Sequence, residues 1–149
     1  VEIASCCDIR VAAEDARFGA PIARLGFPMA PREARLVARV AGEATARELL
    51  LEAAVLDAPE LKARGFLHQV LPPFELMVHA RQRAARIARL APQAARLNKQ
   101  TLRALGQAGP GDAAGTAIDR IVAGAYDYAD SAEHREGITA FLAKRAPNF

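Results

Sequence analysis

Three histidines and two adjacent cysteines are among the side chains whose types could do chemistry in this sequence. His68, His79 and His134 are too scattered to form a metal site, and each is expected to be a surface or packed side chain. Cys6 and Cys7 have no partnering histidine nearby and are predicted to be small buried residues of the first helix. The sequence therefore predicts no metal site and favours neither cysteine as a nucleophile.

A long basic interval lies in the second half of the chain. Between Leu76 and Gly111 there is no Asp or Glu, whereas seven basic residues fall there: Arg81, Arg83, Arg86, Arg89, Arg96, Lys99 and Arg103. Helices in this interval are predicted to be electropositive, which suits a solvated face or contact with phosphate or nucleic acid. No aromatic residues are interleaved for base stacking, so a nucleic-acid partner is disfavoured.

Composition places the chain among ordinary globular proteins rather than disordered ones. It has 149 residues, 20 Lys+Arg against 17 Asp+Glu, and 52% hydrophobic residues. No apolar run is long enough to cross a bilayer and no secretory signal is visible, so we expect a cytoplasmic, bacterial protein without membrane partners. The sequence opens at Val1 directly in an apolar pattern, which predicts a piece of a longer protein.

The elements that must position any site begin with a predicted buried helix over residues 1–7. Residues 8–13 alternate like a short strand, with Ile9 and Val11 facing inward. Two Gly and three Pro in residues 18–31 predict the end of a strand followed by an irregular loop.

A helical period starts at Arg32 and stops at Gly42, and a second helix continues through Ala53. Asp57 is a candidate N-cap for a short helix that ends at Gly65.

A strand over residues 66–71 then leads to helices over residues 74–90 and 92–105, with a break over residues 106–112. Beyond the break, Asp130 and Glu133 are predicted to form the capping box of the last helix. The last two helices carry apolar stripes that predict self-association: Ile118, Ile121, Val122 and Ala125 on one, and Ile138, Phe141 and Leu142 on the other.

Several motifs together resemble the C-terminal part of the enoyl-CoA hydratase/isomerase, or crotonase, family over residues 1–149. The terminal match is the most specific, because REGITAFLAKRAPNF keeps Arg, Glu, Gly, Phe, Lys, Arg, Pro and Phe at the family spacing. The matching positions are Glu2, Cys7–Arg10, Ala16–Gly19, Leu25–Gly26, Arg47–Leu51, Ala63–Val70 and Arg135–Phe149.

The resemblance implies an α/β crotonase-like fold, the ClpP/crotonase spiral, of which this chain is a helix-rich portion with a few short strands. Residues 1–91 would be the C-terminal part of the spiral core. Residues 92–149 would be a helical subdomain that joins homotrimers, often stacked as hexamers.

The resemblance also implies an acyl-CoA thioester as substrate, with coenzyme A entering as part of the substrate and no separate cofactor. In the family, two backbone N–H groups stabilise the enolate-like intermediate as an oxyanion hole. Both would lie upstream of Val1, so the chain alone is predicted to be inactive.

Glu2 matches the first of two family carboxylates that hold water or move the α-proton, with a simple first-turn glutamate as the alternative. Ile22 stands where the second carboxylate is expected. Glu33 is the nearest replacement, and its alternative is an exposed glutamate in the first turn of a helix. One carboxylate alone would favour a double-bond shift over hydration, so weak hydration of crotonyl-CoA is expected.

Phe141 and Lys144 match family positions that reach the adenine and phosphates of the CoA of a neighbouring subunit, although core packing explains Phe141 equally well. The sequence thus predicts an enoyl-CoA hydratase or isomerase in which Glu2 moves protons, with Glu33 as the candidate for a second catalytic carboxylate. A decarboxylase is an alternative among enzymes, and a non-catalytic or RNA-binding crotonase-like oligomer is the alternative outside them.

Overall fold

The computed structural model describes residues 1–107 and 114–149 and divides into two compact units. The first unit comprises Val1–Arg81 and the second comprises Gln82–Phe149. The predicted domain boundary between residues 91 and 92 stays a prediction.

The first unit mixes short strands with helices. Two strand pairs form, one parallel between β1 and β4 and one antiparallel between β2 and β3. A 3-10 helix, Pro21–Leu25, follows β2. The elements are α1 (Glu2–Ser5), β1 (Val11–Ala13), β2 (Arg17–Gly19), α2 (Pro31–Ala41), α3 (Glu43–Leu51), β3 (Val55–Asp57), α4 (Ala58–Ala63) and β4 (Gln69–Leu71).

The boundaries of these helices follow local chemistry. Pro31 opens α2 at a position where its missing N–H costs nothing, and Gly42 ends it with a φ of 88° that other residues rarely adopt. The side chain of Asp57 accepts a hydrogen bond from Glu60 N at 2.8 Å, which confirms the predicted cap of α4.

The core of the first unit gathers residues from α2, α3, α4 and the segment before β4. Its largest fully buried side chains are Phe66, Leu49, Leu61 and Val37. Phe18 on β2 meets the ring of Phe66 edge to face, with the ring centroids 6.0 Å apart. The predicted strand over residues 66–71 is therefore shorter than expected, because Phe66 and Leu67 pack into the core ahead of β4.

The N-terminal predictions need three corrections. The first helix is a single turn in which Ser5 is buried and Ile3 is exposed, so it is not a buried helix. Cys6 and Cys7 follow it and are exposed rather than buried. In β1 the buried residue is Ala12 while Ile9 is exposed, because pairing with β4 turns the opposite strand face to the core.

The second helix also ends earlier than predicted. α3 stops at Leu51, and Ala53 lies beyond it with a φ of 50°.

All secondary-structure elements in the described part of the second unit are helices. α5 (Pro73–Ala88) begins in the first unit and is followed by α6 (Pro92–Gln107), α7 (Ala114–Ala123), a 3-10 helix (Asp127–Asp130) and α8 (Ala132–Leu142). α6 packs against α7. The predicted break covered residues 106–112, but α6 continues through Gln107, and residues 108–112 of that prediction lie outside the described part of the chain.

The predicted cap of the last helix is displaced by one residue. Ser131, not Asp130, is the N-cap of α8, and its hydroxyl accepts from His134 N at 3.1 Å. Asp130 ends the preceding 3-10 helix, and Glu133 instead accepts from Gln93 N at 3.1 and 3.2 Å. The prediction failed because Asp and Ser are both good caps and stand next to each other.

Candidate functional site

Glu2 lies in the first turn of α1 and its side chain is exposed. α1 packs against α2, the helix that carries Glu33. The structure therefore brings the two helices with the predicted carboxylates together within the first unit.

Arg10 ties the C-terminal end of α1 to the core. Its guanidinium donates to Cys7 O at 2.5 Å and to Phe66 O at 2.6 Å, with a longer contact to Ala4 O at 3.5 Å. It also lies over the Phe66 ring, 4.9 Å from the centroid. Burial lowers the pKa of Arg10, opposed by the nearby Cys7 and Asp8. Arg10 therefore holds the turn that carries Glu2 against a fully buried phenylalanine.

His68 forms hydrogen bonds with the backbone of Arg10. Arg10 N donates to His68 Nδ1 at 3.1 Å, and His68 N donates to Arg10 O at 2.8 Å. Lys62 Nζ donates to His68 O at 2.8 Å. His68 Nδ1 therefore acts as a hydrogen-bond acceptor for the backbone of Arg10. Sequence reasoning assigned no role to Arg10 or His68, and a pairing 58 residues apart leaves no local signal.

Ile22 lies in the 3-10 helix after β2 and is half-buried. The helix ends at Gly26 with a φ of 73°, and Arg24 Nη2 donates to Ala53 O at 3.0 Å. The loop beyond it exposes Phe27. The position at which the resemblance led us to expect the second carboxylate therefore carries an apolar side chain on a turn anchored by Arg24.

Glu33 lies in the first turn of α2, as predicted, but it is half-buried rather than exposed. Its Oε2 is buried and accepts no hydrogen bond from the described residues. A buried carboxylate oxygen without a donor costs free energy, so such an atom calls for a ligand, a water molecule or a chemical role. The geometry therefore disfavours the alternative of an exposed first-turn glutamate.

An open groove of about 360 Å³ lies between α2 and α3. An exposed ion pair on α3 lines part of it, with Arg47 Nη2 2.9 Å from Glu43 Oε2. None of the predicted site residues lines this groove. The lining residues are Ala34, Arg35, Ala38, Glu43, Ala46, Arg47, Leu50 and Leu51.

Phe141 and Lys144 lie at the C-terminal end of α8 in the second unit. Phe141 is 79% exposed, while the buried residue of α8 is Ala140. Core packing within this chain therefore does not account for Phe141. Lys144 follows the helix with a φ of 51°, the left-handed conformation that favours glycine.

A carboxylate fixes the chain just after Lys144. Glu136 accepts from both terminal nitrogens of Arg145, at 2.7 and 2.9 Å, and from Asn148 N at 2.7 Å. These hydrogen bonds lower the pKa of Glu136 to about 2. The sequence motif contained Glu136 and Arg145, but their nine-residue separation gave no sign that they pair.

The basic interval forms parts of α5 and α6. On α6, Arg96, Lys99 and Arg103 are spaced to share one helical face.

Glu133 accepts a hydrogen bond from Tyr128 and from the first turn of α6, and these bonds lower its pKa. Among residues 1–107 and 114–149 no His, Cys, Asp or Glu cluster could hold a metal ion.

Comparison with known proteins identifies the fold and the family. The whole chain, residues 1–149, matches the family model described as Enoyl-CoA hydratase/isomerase. The chain is 35% identical to crotonyl-CoA hydratase from Syntrophomonas wolfei over 152 residues, covering 99% of this chain and 55% of that protein. It is also 35% identical to 2,3-dehydroadipyl-CoA hydratase from Escherichia coli over 150 residues, covering 99% and 56%.

A solved structure of a protein with a related name also matches this chain. The enoyl-CoA hydratase/carnithine racemase from Magnetospirillum magneticum matches with a TM-score of 0.86 and 36% identity, over 99% of this chain and 53% of that one. The chain spans about half the length of the relatives it matches.

The fold is that of the crotonase-type proteins, which confirms the predicted fold class. The chain belongs to the enoyl-CoA hydratase/isomerase family, as its motifs predicted. Within the described residues, no helix has the length and apolar character needed to span a membrane.

Proposed function

We propose that the protein containing this chain processes an acyl-CoA thioester, adding water to an enoyl-CoA or shifting its double bond. The match of all 149 residues to the family carries this proposal. Relatives named crotonyl-CoA hydratase and 2,3-dehydroadipyl-CoA hydratase support the substrate class and favour the enzyme over the RNA-binding alternative.

In the proposed reaction, two carboxylates divide the proton transfers. Glu2 activates the water or removes the α-proton, and Glu33 serves as the second proton-transfer group in place of the family residue at Ile22. The packing of α1 on α2 and the unpartnered Oε2 of Glu33 support this assignment. During hydration the double bond between the α- and β-carbons opens as the water oxygen bonds to the β-carbon. One water proton passes to the ionised carboxylate, and the other group, protonated beforehand, gives its proton to the α-carbon.

The proposed CoA subsite lies on α8 and just beyond it. The Phe141 ring suits the face of the adenine, and the Lys144 ammonium suits a phosphate. The exposure of Phe141 supports an external partner for its ring. We propose no cofactor besides the CoA portion of the substrate.

Turnover by the natural full-length protein tests this function. Crotonyl-CoA and its positional isomer with the double bond one carbon further along are supplied separately, and loss or gain of the conjugated thioester is followed by ultraviolet absorbance. Conversion of either substrate supports the proposal. Binding of neither acyl-CoA, together with binding of a single-stranded RNA, would favour the alternative.

We also propose that the protein assembles as a homotrimer or hexamer through its last helices. Ile138, Phe141 and Leu142 on α8 and Val122 on α7 are all at least half exposed. The three residues on α8 are spaced to share one helical face, and an exposed apolar stripe favours association. Light scattering should show an oligomer, and Leu142→Asp should shift it toward the monomer while Thr139→Asp, on a neighbouring exposed position, shifts it less.

A cytoplasmic location in a bacterium is the remaining proposal. Two free adjacent thiols, Cys6 and Cys7, and relatives from bacteria support it. Fractionation of the source cells would test it.

A further inference from the structure

The C-terminal segment after α8 is fixed to the helix by one carboxylate. Glu136 receives a bidentate pair of hydrogen bonds from Arg145 and a third from the backbone N–H of Asn148. Three charge-assisted bonds on one carboxylate restrict both the Arg145 side chain and the backbone near the end of the chain. We call Glu136 and Arg145, with Asn148 N, the tail clamp.

The tail clamp holds the chain in the left-handed backbone conformation at Lys144, where the chain turns back after α8. We call this turn the reversal. Lys144 N donates to Phe141 O at 3.1 Å and Arg145 N donates to Ala140 O at 3.0 Å, which closes the end of α8. Lys144 adopts a φ of 51°, a left-handed conformation in which glycine is usual because a side chain is sterically disfavoured there. A non-glycine residue persists in this conformation when its surroundings determine it, and such sites are often functional.

A second contact holds the end of the segment. A Cβ built on Gly137 would lie 3.7 Å from Cζ of Phe149, which is ordinary van der Waals contact. The Phe149 ring therefore lies against α8 one residue beyond Glu136. The segment is held on both sides of Lys144, by α8 before it and by the tail clamp and Phe149 after it.

We propose that Glu136 and Arg145 are positioning residues that hold Lys144 ready for the phosphates of an acyl-CoA. The inference rests on the proposed function, because it uses the CoA subsite. A lysine on a mobile tail must be ordered when the ligand binds, whereas a lysine on a fixed reversal has met part of that entropic cost in advance. The tail clamp stays ionised at working pH, since the pKa of Glu136 is about 2.

The test compares two substrates in the natural full-length protein. Glu136→Gln keeps the side-chain shape but removes the charge that holds Arg145. Because ordering one long side chain costs a modest free energy, KM for crotonyl-CoA should rise about 3- to 10-fold with kcat unchanged. KM for crotonyl-pantetheine, which lacks the nucleotide phosphates, should not change.

Two further variants keep the test decisive. Arg145→Gln removes the tail clamp from its other side and should reproduce the effect. Glu43→Gln is the matched control, because it removes an exposed ion pair with Arg47 elsewhere in the chain. It should leave KM for both substrates unchanged. Circular dichroism confirms that each variant is folded.

The Lys144→Met variant distinguishes the positioning role of the tail clamp from the proposed CoA subsite. Lys144→Met should raise KM for crotonyl-CoA but not for crotonyl-pantetheine, and adding Glu136→Gln to it should raise KM no further. If Lys144→Met discriminates between the substrates while Glu136→Gln does not, the positioning role is wrong and the CoA subsite stands. If Lys144→Met affects neither substrate, the CoA subsite itself is wrong. Equal effects of Glu136→Gln on both substrates would also overturn the positioning role.

Discussion

Replacing Arg10 with alanine removes the contacts that hold α1 against the core. Phe66 is fully buried, and its carbonyl oxygen accepts a hydrogen bond from Arg10 Nε at 2.6 Å. Loss of this donor leaves the carbonyl unsatisfied, which costs about 1–3 kcal/mol of stability. Loss of the stacking over the Phe66 ring adds about 0.5–1 kcal/mol. The bond to Cys7 O lies at an exposed carbonyl that water can solvate, so it adds little. We expect Arg10→Ala to lower the free energy of unfolding by about 2–4 kcal/mol.

Urea unfolding followed by far-ultraviolet circular dichroism measures this change, with the same slope required for both proteins. Arg10→Lys keeps a charge but not the planar fork, so it should lose about half as much stability. Arg17→Ala is the matched control. Its ion pair with Asp57, at 3.2 Å between side chains 63% and 40% exposed, should contribute less than about 1 kcal/mol. An Arg10→Ala loss no greater than that of Arg17→Ala would refute the reasoning.

Other predictions test caps, titration and metal dependence. Asp57→Ala should cost about 1–2 kcal/mol in urea unfolding, because it removes the cap on Glu60 N together with the exposed ion pair to Arg17. Asp130→Ala, which caps no helix, should cost less than about 0.5 kcal/mol, and equal costs would contradict the assigned caps. Glu136 titrates near 2 when folded against an ordinary value of 4.5, so its stabilisation is complete above about pH 4.5 and disappears as the pH falls toward 2. The difference in Tm between the unchanged protein and Glu136→Gln should therefore close over that interval, and a constant difference would disprove the assignment. Dialysis against EDTA should leave crotonyl-CoA turnover unchanged, because the mechanism uses no metal; lost activity restored by a divalent cation would reject it.

Local signals in the sequence predicted most helices of the fold. The proline at the start of α2, the glycine after it and the Asp57 cap mark boundaries within a few residues, because each acts on the backbone next to it. The inward face of β1 was wrong because that face depends on pairing with β4, about 58 residues away.

The contacts of the candidate site also depend on residues that are distant in the sequence. Glu33 was picked out by its place in the sequence, but its buried Oε2 depends on packing that no motif describes. Arg10 and His68 meet only after the chain folds, and so do Glu136 and Arg145. The quoted family motifs contain Arg10, Glu136 and Arg145 without showing what these residues contact.

Hydration of crotonyl-CoA by the Glu33→Gln variant of the full-length protein tests the central claim most directly. Gln keeps the shape of Glu33 and removes its basicity, so kcat should fall about 10²-fold or more, as it should for Glu2→Gln, if both carboxylates move protons. Glu43→Gln, another glutamate in the first turn of a helix but an exposed one, should leave kcat unchanged. A Glu33→Gln enzyme that hydrates crotonyl-CoA at the unmodified rate would contradict the two-carboxylate account.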